Sequence, residues 1–159
     1  MKLNLGGGDD RREGYINVDL RQDCADVLAD VQNLPFSSNS ASDILALDIL
    51  EHLPPSSTMS VLRHWYSILE PGGELTLRVP NMYQLSRALA RYYENVQHDV
   101  VEMLIMNIYG GQRWGTDGEW DRHYWGWTPV GLATIVKETG FTVTHCDEAL
   151  NMTMMAIKP

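Results

Sequence analysis

Short apolar runs separated by polar, turn-forming residues occupy the first half of the sequence. Their leucine, β-branched and aromatic residues predict strands over residues 2–6, 15–19, 42–50 and 72–80, with a further strand over 25–30. The run within 42–50 is nearly unbroken, which is typical of a strand that is buried on both faces. Pro80 is expected to end the 72–80 strand because proline cannot donate a hydrogen bond to a sheet.

Apolar residues at helical spacing lie between the last two of these strands. They occupy positions i, i+3, i+4 and i+7, at Leu62, Trp65, Tyr66 and Leu69, and predict a helix over 56–69. Residues 82–109 carry two apolar stripes and also predict helical structure. Because this stretch is long for one globular helix, we expect a break near Asn95–Asp99.

The C-terminal part of the sequence predicts one more helix and two strands. Thr128 is placed to cap a helix that begins at Pro129 and ends at Gly140. Strands are predicted over 141–146 and 152–157. Strands that alternate with helices indicate a mainly parallel sheet with helices on its faces, which binds ligands at the carboxyl ends of its strands.

Glycines and aspartates would meet at that edge of the sheet. Glycines 6–8 follow the first strand. Each of the next three strands is followed by or ends in an aspartate: Asp19, Asp30 and Asp48. Glycine lets a backbone approach a ligand closely, and a carboxylate accepts hydrogen bonds from hydroxyl or amino groups. This convergence predicts a site for a nucleotide-like ligand.

The glycine segment does not fit a dinucleotide site or a P-loop. Arg11 stands where the dinucleotide fingerprint has its third glycine, and Asp19 follows Gly8 by only 11 residues. That distance leaves little room for the helix whose N-terminus would bind a pyrophosphate. Asp9 and Asp10 would repel phosphates, and no Gly-Lys-Ser/Thr sequence follows. A ligand without phosphates, such as S-adenosylmethionine, fits better.

Composition is that of a globular protein and narrows the range of partners. With 159 residues, 44% hydrophobic and 21% charged, the chain is expected to form a single domain over 1–159. Its apolar runs are too short for a membrane helix, and a net charge of −9 argues against nucleic acid as a partner. Cys24 and Cys146 follow no disulfide or metal spacing, and no signal peptide is evident, so we expect a cytoplasmic protein.

Five sequence motifs in this order resemble the class I S-adenosylmethionine-dependent methyltransferases: LNLGGG, INVDL, ADVQNLPF, DILALDILEHL and LEPGGELTLRVPN. More narrowly, they are similar to small methyltransferases of polysaccharide and lipopolysaccharide biosynthesis. The resemblance covers residues 2–81 and implies an α/β fold with a Rossmann-like doubly wound sheet, mainly parallel with an antiparallel C-terminal strand. The first helix after the glycine loop is expected to be reduced or absent. Residues 82–127 match no part of the family, and we expect a substrate-side insertion or lid there.

The resemblance implies a cofactor site made of residues that follow four strands: Gly6, Gly7, Gly8, Asp19, Leu20, Asp30, Val31, Leu47 and Asp48. The glycines would let the backbone approach the methionine part of the cofactor. Asp19 would accept hydrogen bonds from the ribose hydroxyls, while Asp30 and Val31 would bind the adenine. Leu47 and Asp48 would line the methionine side. The alternative for each aspartate is a strand-end cap or a turn residue.

The EHL sequence just beyond the fourth strand carries the first candidate for catalysis. Methyl transfer requires an acceptor next to the sulfonium, and an oxygen acceptor of high pKa also requires a general base. His52 is therefore a candidate base or acceptor-positioning residue. The alternative is that Glu51 and His52 cap the next helix or pack beneath a loop.

A second candidate region is the aromatic segment, residues 110–127, which contains four tryptophans, two aspartates, a glutamate and a histidine. Aromatic faces beside carboxylates suit sugars, aromatic acceptors or cationic amines. His123 with Asp121 or Glu119 is a candidate base with its orienting acid. Alternatively, the aromatic residues anchor the loop or form a dimer contact. A divalent metal that holds a sugar diol is a further alternative, but the spacing is not diagnostic of a metal site, so none is assigned.

The sequence thus predicts an enzyme that uses S-adenosylmethionine, releases S-adenosylhomocysteine and methylates a small molecule, with a sugar hydroxyl as the favoured acceptor. A catalytically degenerate binding or partner module is the alternative, because the reduced first helix leaves the cofactor site open. A nicotinamide-binding protein is disfavoured by Arg11. We expect no nucleic acid or membrane partner, and a homodimer is compatible with the aromatic segment.

Overall fold

A seven-stranded sheet forms the framework of the computed structural model, which describes residues 1–94, 98–111 and 121–159. Its strands are β1 (Lys2–Leu5), β2 (Ile16–Asp19), β3 (Val27–Leu28), β4 (Ala41–Leu47), β5 (Leu69–Pro80), β6 (Thr142–Cys146) and β7 (Asn151–Ile157). They are ordered β3-β2-β1-β4-β5-β7-β6. Strands β1 to β5 are mutually parallel, whereas β7 is antiparallel to both β5 and β6. This is the mainly parallel, doubly wound sheet with an antiparallel C-terminal strand that the sequence predicts.

The described helices connect these strands: a 3-10 helix at Leu50–His52, then α1 (Pro55–Ile68), α2 (Met82–Glu94), α3 (His98–Tyr109) and α4 (Pro129–Glu138). The hydroxyl of Thr128 caps α4 by accepting a hydrogen bond from the Gly131 N–H at 3.1 Å. Helices α2 and α3 pack against each other. The break predicted near Asn95–Asp99 falls largely on residues 95–97, which lie outside the described residues. Within the described ranges, every helix falls short of the length and hydrophobicity needed to cross a membrane.

The core is formed by the central strands together with one face of α1. Its members include Leu3, Leu5, Val18, Ile44, Ala46, Leu62, Trp65, Leu75 and Leu77. Trp65 is completely buried, and its indole Nε1–H donates to the carbonyl of Val31 at 2.8 Å. The core therefore fixes the peptide that follows β3 at the carboxyl edge of the sheet.

The connection between β1 and β2 consists of turns. Residues 6–15 are all described, and none of them is helical. A parallel strand pair normally needs a longer crossover, usually a helix. The structure thus confirms that the first helix after the glycine loop is absent.

Three strands differ from the sequence prediction by more than one residue at a boundary. Strand β4 ends at Leu47 instead of residue 50, and Leu50 begins the 3-10 helix. The strand predicted over 25–30 is reduced to Val27–Leu28, because only these residues pair with β2. Strand β5 begins at Leu69, which the periodicity assigns to the preceding helix face. Leu69 pairs with Ala41 of β4 and is buried. Because an apolar residue at this position suits the buried face of a helix as well as a buried strand, apolar periodicity does not distinguish helix from strand here.

Candidate active site

Two buried asparagines support the glycine loop in the absence of a helix. Asn4 of β1 donates from its amide to Asn17 Oδ1 of β2 at 3.0 Å and to the Asp10 carbonyl at 2.8 Å. Asn17 donates to the carbonyls of Gly8 and Cys24, each at 3.0 Å. These side chains satisfy backbone acceptors in a segment without regular secondary structure. Neither asparagine is among the residues predicted from the sequence, although each is a polar residue inside an apolar strand.

The glycines of this loop differ in what surrounds them. A Cβ on Gly7 would lie only 2.1 Å from the Asn4 amide nitrogen, so that position excludes any side chain. A Cβ on Gly6 would meet the Ile49 side chain at 1.9 Å. Gly8 has a φ of +52°, yet its nearest neighbour would be 3.8 Å away. Gly8 is therefore the glycine with open space beside its α-carbon, as close approach of a ligand requires.

Asp19 ends β2 beside this loop. Its Oδ2 accepts a hydrogen bond from the Gly8 N–H at 2.9 Å, and its Oδ1 accepts one from the Arg21 N–H at 2.9 Å. Each carboxylate oxygen has two lone pairs, so both retain capacity for a ribose hydroxyl. Asp19 thus has a turn-stabilising role in this structure, and its predicted ribose contact is compatible with that role. Leu20 follows it with an exposed side chain.

Asp30 and Val31 follow β3 at the same edge. Asp30 Oδ1 accepts from the Gln32 N–H at 2.8 Å, which is the turn contact that the sequence analysis gives as the alternative. The Val31 carbonyl accepts from Trp65, while the Val31 N–H has no hydrogen-bond partner among the described residues. A fixed peptide with an available N–H is suited to bind an adenine ring nitrogen. The Val31 N–H can therefore act as the donor in the predicted adenine contact.

Arg78, near the end of β5, is a further residue of this edge that was not predicted from the sequence. Its Nε donates to Asp48 Oδ2 at 2.9 Å, and its Nη2 contacts the same oxygen. Asp48 follows Leu47, which pairs with Arg78 in the sheet, and adopts a φ of +58°. The carboxylate expected near the methionine ammonium is thus already bound to a guanidinium. The ammonium contact of Asp48 stays a prediction.

Glu51, His52 and His123 come together beyond the end of β4. One side-chain oxygen or nitrogen of each lies within 4.8 Å of those of the other two, and the histidine rings meet edge to face with centroids 4.7 Å apart. His52 Nδ1 lies 3.0 Å from the Arg122 carbonyl. His123 Nδ1 lies 3.0 Å from the Asn107 carbonyl. Because a carbonyl only accepts, each Nδ1 carries a proton, and in the neutral ring Nε2 keeps its lone pair.

Burial controls the protonation of this cluster. Glu51 is 1% exposed, and neither of its carboxylate oxygens has a hydrogen-bond partner among the described residues. Burial raises the pKa of Glu51 to about 8, and the charge of Asp48 adds to this shift. Burial lowers the pKa of His52 and of His123. The unprotonated imidazoles are therefore favoured at neutral pH.

The described end of the aromatic segment lies across this cluster. The Tyr124 N–H donates to the Glu51 carbonyl at 2.8 Å. Trp127 is buried and forms a bridge with Asn81 directly after β5, whereas Tyr124 and Trp125 are 47% and 50% exposed. The segment is thus anchored at Trp127 and exposes two aromatic side chains to solvent, directly after His123 in the chain.

The orienting contact of His123 in this structure is the Asn107 carbonyl. Within the described residues, no hydrogen bond joins the Asp121 carboxylate to His123, although its charge acts to raise the pKa of that ring. The Asp121 carboxylate packs over Gly111, where a Cβ would lie 2.1 Å from Oδ2. Glu119, the other candidate acid, lies in 112–120, outside the described residues. The orienting role of Asp121 stays a prediction.

A family of known proteins matches part of the chain that builds this edge. Residues 10–77 match the model of the methyltransferase domain. That span is similar to a methyltransferase domain, and the sheet around it has the class I methyltransferase fold. S-adenosylmethionine is therefore its cofactor, and methyl transfer is its activity. The matched span contains Asp19, Asp30, Asp48 and the first two residues of the cluster.

Solved structures share the fold of this methyltransferase. An S-adenosylmethionine-dependent methyltransferase of Methanosarcina mazei is 14% identical, with a TM-score of 0.64 over 98% of this chain and 91% of that chain. The 1,6-didemethyltoxoflavin-N1-methyltransferase of Burkholderia thailandensis, solved with S-adenosylhomocysteine, is 18% identical, with a TM-score of 0.65 over 98% and 69%. A chain of the Haloferax volcanii complex containing the Trm112 methyltransferase activator is 13% identical, with a TM-score of 0.64 over 99% and 81%. At these identities the likeness concerns the fold. Among curated proteins, none matches the sequence.

Replacing Asp19 tests the cofactor edge of the methyltransferase. We expect Asp19→Ala to weaken S-adenosylhomocysteine binding at least about tenfold, because a hydrogen bond to a charged group is worth roughly 1.5–3 kcal/mol. Isothermal titration calorimetry measures this. Asp23→Asn is the matched control, since Asp23 is exposed and lies in the turn that follows Asp19. Thermal unfolding of both variants separates lost affinity from an altered loop. An Asp19→Ala affinity within twofold of the wild type would contradict the assignment.

Replacing Glu51 tests the burial of its carboxyl group. The folded pKa of about 8 exceeds the ordinary value of 4.5, so the stabilising contribution of the protonated form is lost as pH rises through this window. We expect Glu51→Gln to gain stability relative to the wild type between about pH 5 and about pH 8.5, by about 1 kcal/mol or more. Urea unfolding across this pH range, with EDTA present to keep metal ions away, measures the difference in the free energy of unfolding. Glu138→Gln, on the exposed face of α4, should leave the pH dependence unchanged. Parallel pH curves for Glu51→Gln and the wild type would refute this prediction.

Proposed function

We propose that this methyltransferase methylates a hydroxyl group of a small molecule, with a saccharide as the favoured acceptor. The observation that carries the proposal is the exposed pair Tyr124 and Trp125, which directly follows His123 in the chain. Both backbone N–H groups of this pair approach the Glu51 carbonyl, at 2.8 and 3.4 Å. A sugar can pack its C–H face on such rings while its hydroxyls reach nearby polar groups. The aromatic pair thus supports a role in holding the acceptor.

The cluster provides a group that can remove the acceptor proton. In the proposed reaction the acceptor oxygen attacks the methyl carbon of S-adenosylmethionine in line with the bond to sulfur. The carbon–sulfur bond breaks, and its electron pair stays on S-adenosylhomocysteine. The hydroxyl proton passes to the lone pair on Nε2 of His52 or His123, which burial keeps unprotonated.

The acceptor side of the site is proposed to include residues 82–127. Residues 121–127 lie across Glu51, and Trp127 connects them to Asn81 at the end of β5. This placement supports an insertion that covers the acceptor.

The same proposal includes a role in polysaccharide biosynthesis, a cytoplasmic location and a homodimer. Light scattering of the purified protein tests the homodimer.

Labelled methyl transfer tests the proposed function. The protein is incubated with methyl-labelled S-adenosylmethionine and a panel of sugars, nucleotide sugars, phenols and amines. We expect transfer to a hydroxyl of the saccharide group and little transfer to amines. S-adenosylhomocysteine binding without transfer to any acceptor would favour a catalytically degenerate binding module instead. Preferred transfer to phenols or amines would retain the methyltransferase but reject the saccharide.

Removing one exposed ring tests the role of the aromatic pair. We expect Trp125→Ala to raise the KM for the acceptor about 3- to 10-fold, the effect of losing roughly 0.5–1.5 kcal/mol of ring contact. The affinity for S-adenosylhomocysteine should not change. Val130→Ala is the control, because Val130 is 77% exposed on α4, outside residues 82–127. Equal kinetics for Trp125→Ala and the wild type would exclude the ring from acceptor binding.

A further inference from the structure

A buried carboxylate that lacks a hydrogen-bond partner requires compensation when it is ionised. Glu51 is 1% exposed, and both of its oxygens lack partners among the described residues. Burying an uncompensated charge is strongly unfavourable, so buried carboxylates in native proteins are paired or coordinate a metal. The candidate ligand groups that converge with this carboxylate are two imidazoles, from His52 and His123.

Both imidazoles have the supporting contacts that are usual for metal ligands. His52 Nδ1 lies 3.0 Å from the Arg122 carbonyl, and that contact fixes the tautomer and orients the ring. His123 Nδ1 has the same relation to the Asn107 carbonyl, also at 3.0 Å. In each ring the nitrogen left to bind a cation is Nε2. A hydrogen bond to a carbonyl from the other ring nitrogen is the arrangement that orients histidine ligands around metals.

We propose that Glu51, His52 and His123 bind a divalent transition-metal ion, represented by Zn²⁺, through one carboxylate oxygen and two imidazole nitrogens. One candidate ligand atom from each residue lies within 4.8 Å of the other two. Ligand atoms around tetrahedral zinc lie about 3.3 Å apart at bond lengths of roughly 2.0–2.2 Å, so small side-chain rotations would close the site. A mixed set of imidazole and carboxylate suits zinc or iron(II), whereas magnesium and calcium prefer oxygen ligands alone.

The three ligands come from two distant parts of the chain. Glu51 and His52 belong to the 3-10 helix after β4, and His123 belongs to the segment that lies across it. A bound ion would therefore join residues 121–127 to the carboxyl edge of the sheet. Two histidines and one carboxylate also leave coordination positions open for a further ligand.

The open position connects the metal site to methyl transfer, and this step rests on the proposed function. A hydroxyl of the acceptor that binds the ion would have a lowered pKa and would lose its proton to solvent before attacking the methyl carbon. The two histidines would then hold the ion, and the proton would not pass to their Nε2 atoms. Metal binding and methyl transfer are therefore measured separately.

A Zn²⁺ titration against a chromophoric chelator tests the site directly. We expect the wild type to bind one equivalent, and Glu51→Gln and His123→Asn to bind it at least about 100-fold more weakly. Asparagine can keep a donor near the position of Nδ1 while removing Nε2. Glu138→Gln and His145→Asn, which change exposed residues elsewhere, are the controls and should bind as the wild type does. Equal Zn²⁺ affinity in site and control variants would overturn the proposal.

Crystals of the wild type soaked in Zn²⁺ provide a test that does not depend on the folding of any variant. We expect an anomalous difference peak within bonding distance of Glu51, His52 and His123. A peak at surface histidines alone, or none, would overturn the proposal. Methyl transfer measured in EDTA then separates the role of the ion in activating the acceptor from the proposed function itself. Undiminished transfer would reject the role of the ion in activating the acceptor, whereas intact Zn²⁺ binding without transfer to any acceptor would reject the proposed function alone.

Discussion

The hydrogen bond between the side chains of Asn4 and Asn17 lies beneath the loop on which the cofactor edge of this methyltransferase depends. A parallel strand pair is usually joined by a helix, which satisfies its own backbone groups. Here the connection is irregular, and the two amides reach the carbonyls of Gly8, Asp10 and Cys24 instead. Each bond contributes about 1 kcal/mol, but an amide left buried without a partner would cost roughly 1–3 kcal/mol. The position of Gly8, and of the Asp19 carboxylate that accepts from it, therefore depends on this pair.

Buried side-chain oxygen and nitrogen atoms that lack a hydrogen-bond partner among the described residues lie at the opposite side of the same edge. They belong to Glu51 after β4, Asn81 after β5 and Trp127 of the aromatic segment. Native proteins leave few buried polar atoms without partners, and those that remain mark sites with another role. The side chains beneath the glycine loop are thus satisfied by internal hydrogen bonds, whereas the side chains beyond β4 and β5 include polar groups that are available to a ligand or an ion.

Patterns within the sequence were sufficient to predict the fold, but they did not predict several details of the site. The unbroken apolar run of β4 and the capped helix α4 were recognisable because burial and capping act over a few neighbouring residues. The end of α1 was not, because Leu69 is buried as helix or as strand and only its pairing with Ala41 decides between them. Arg78 was missed for a similar reason. Its partner Asp48 lies on the neighbouring strand, and sequence spacing does not reveal sheet register.

The sequence by itself determined the order of strands and helices, the absence of the first helix and the class of cofactor, because these follow from local periodicity and from motifs after each strand. The tertiary structure decided which acidic side chains are paired with other side chains and which lack a partner. It placed Asp48 against Arg78 and brought His123 against Glu51 and His52. The physical reason is that protonation, pairing and ligation depend on distances of a few ångströms between groups far apart in the chain, and these distances exist only once the sheet has assembled.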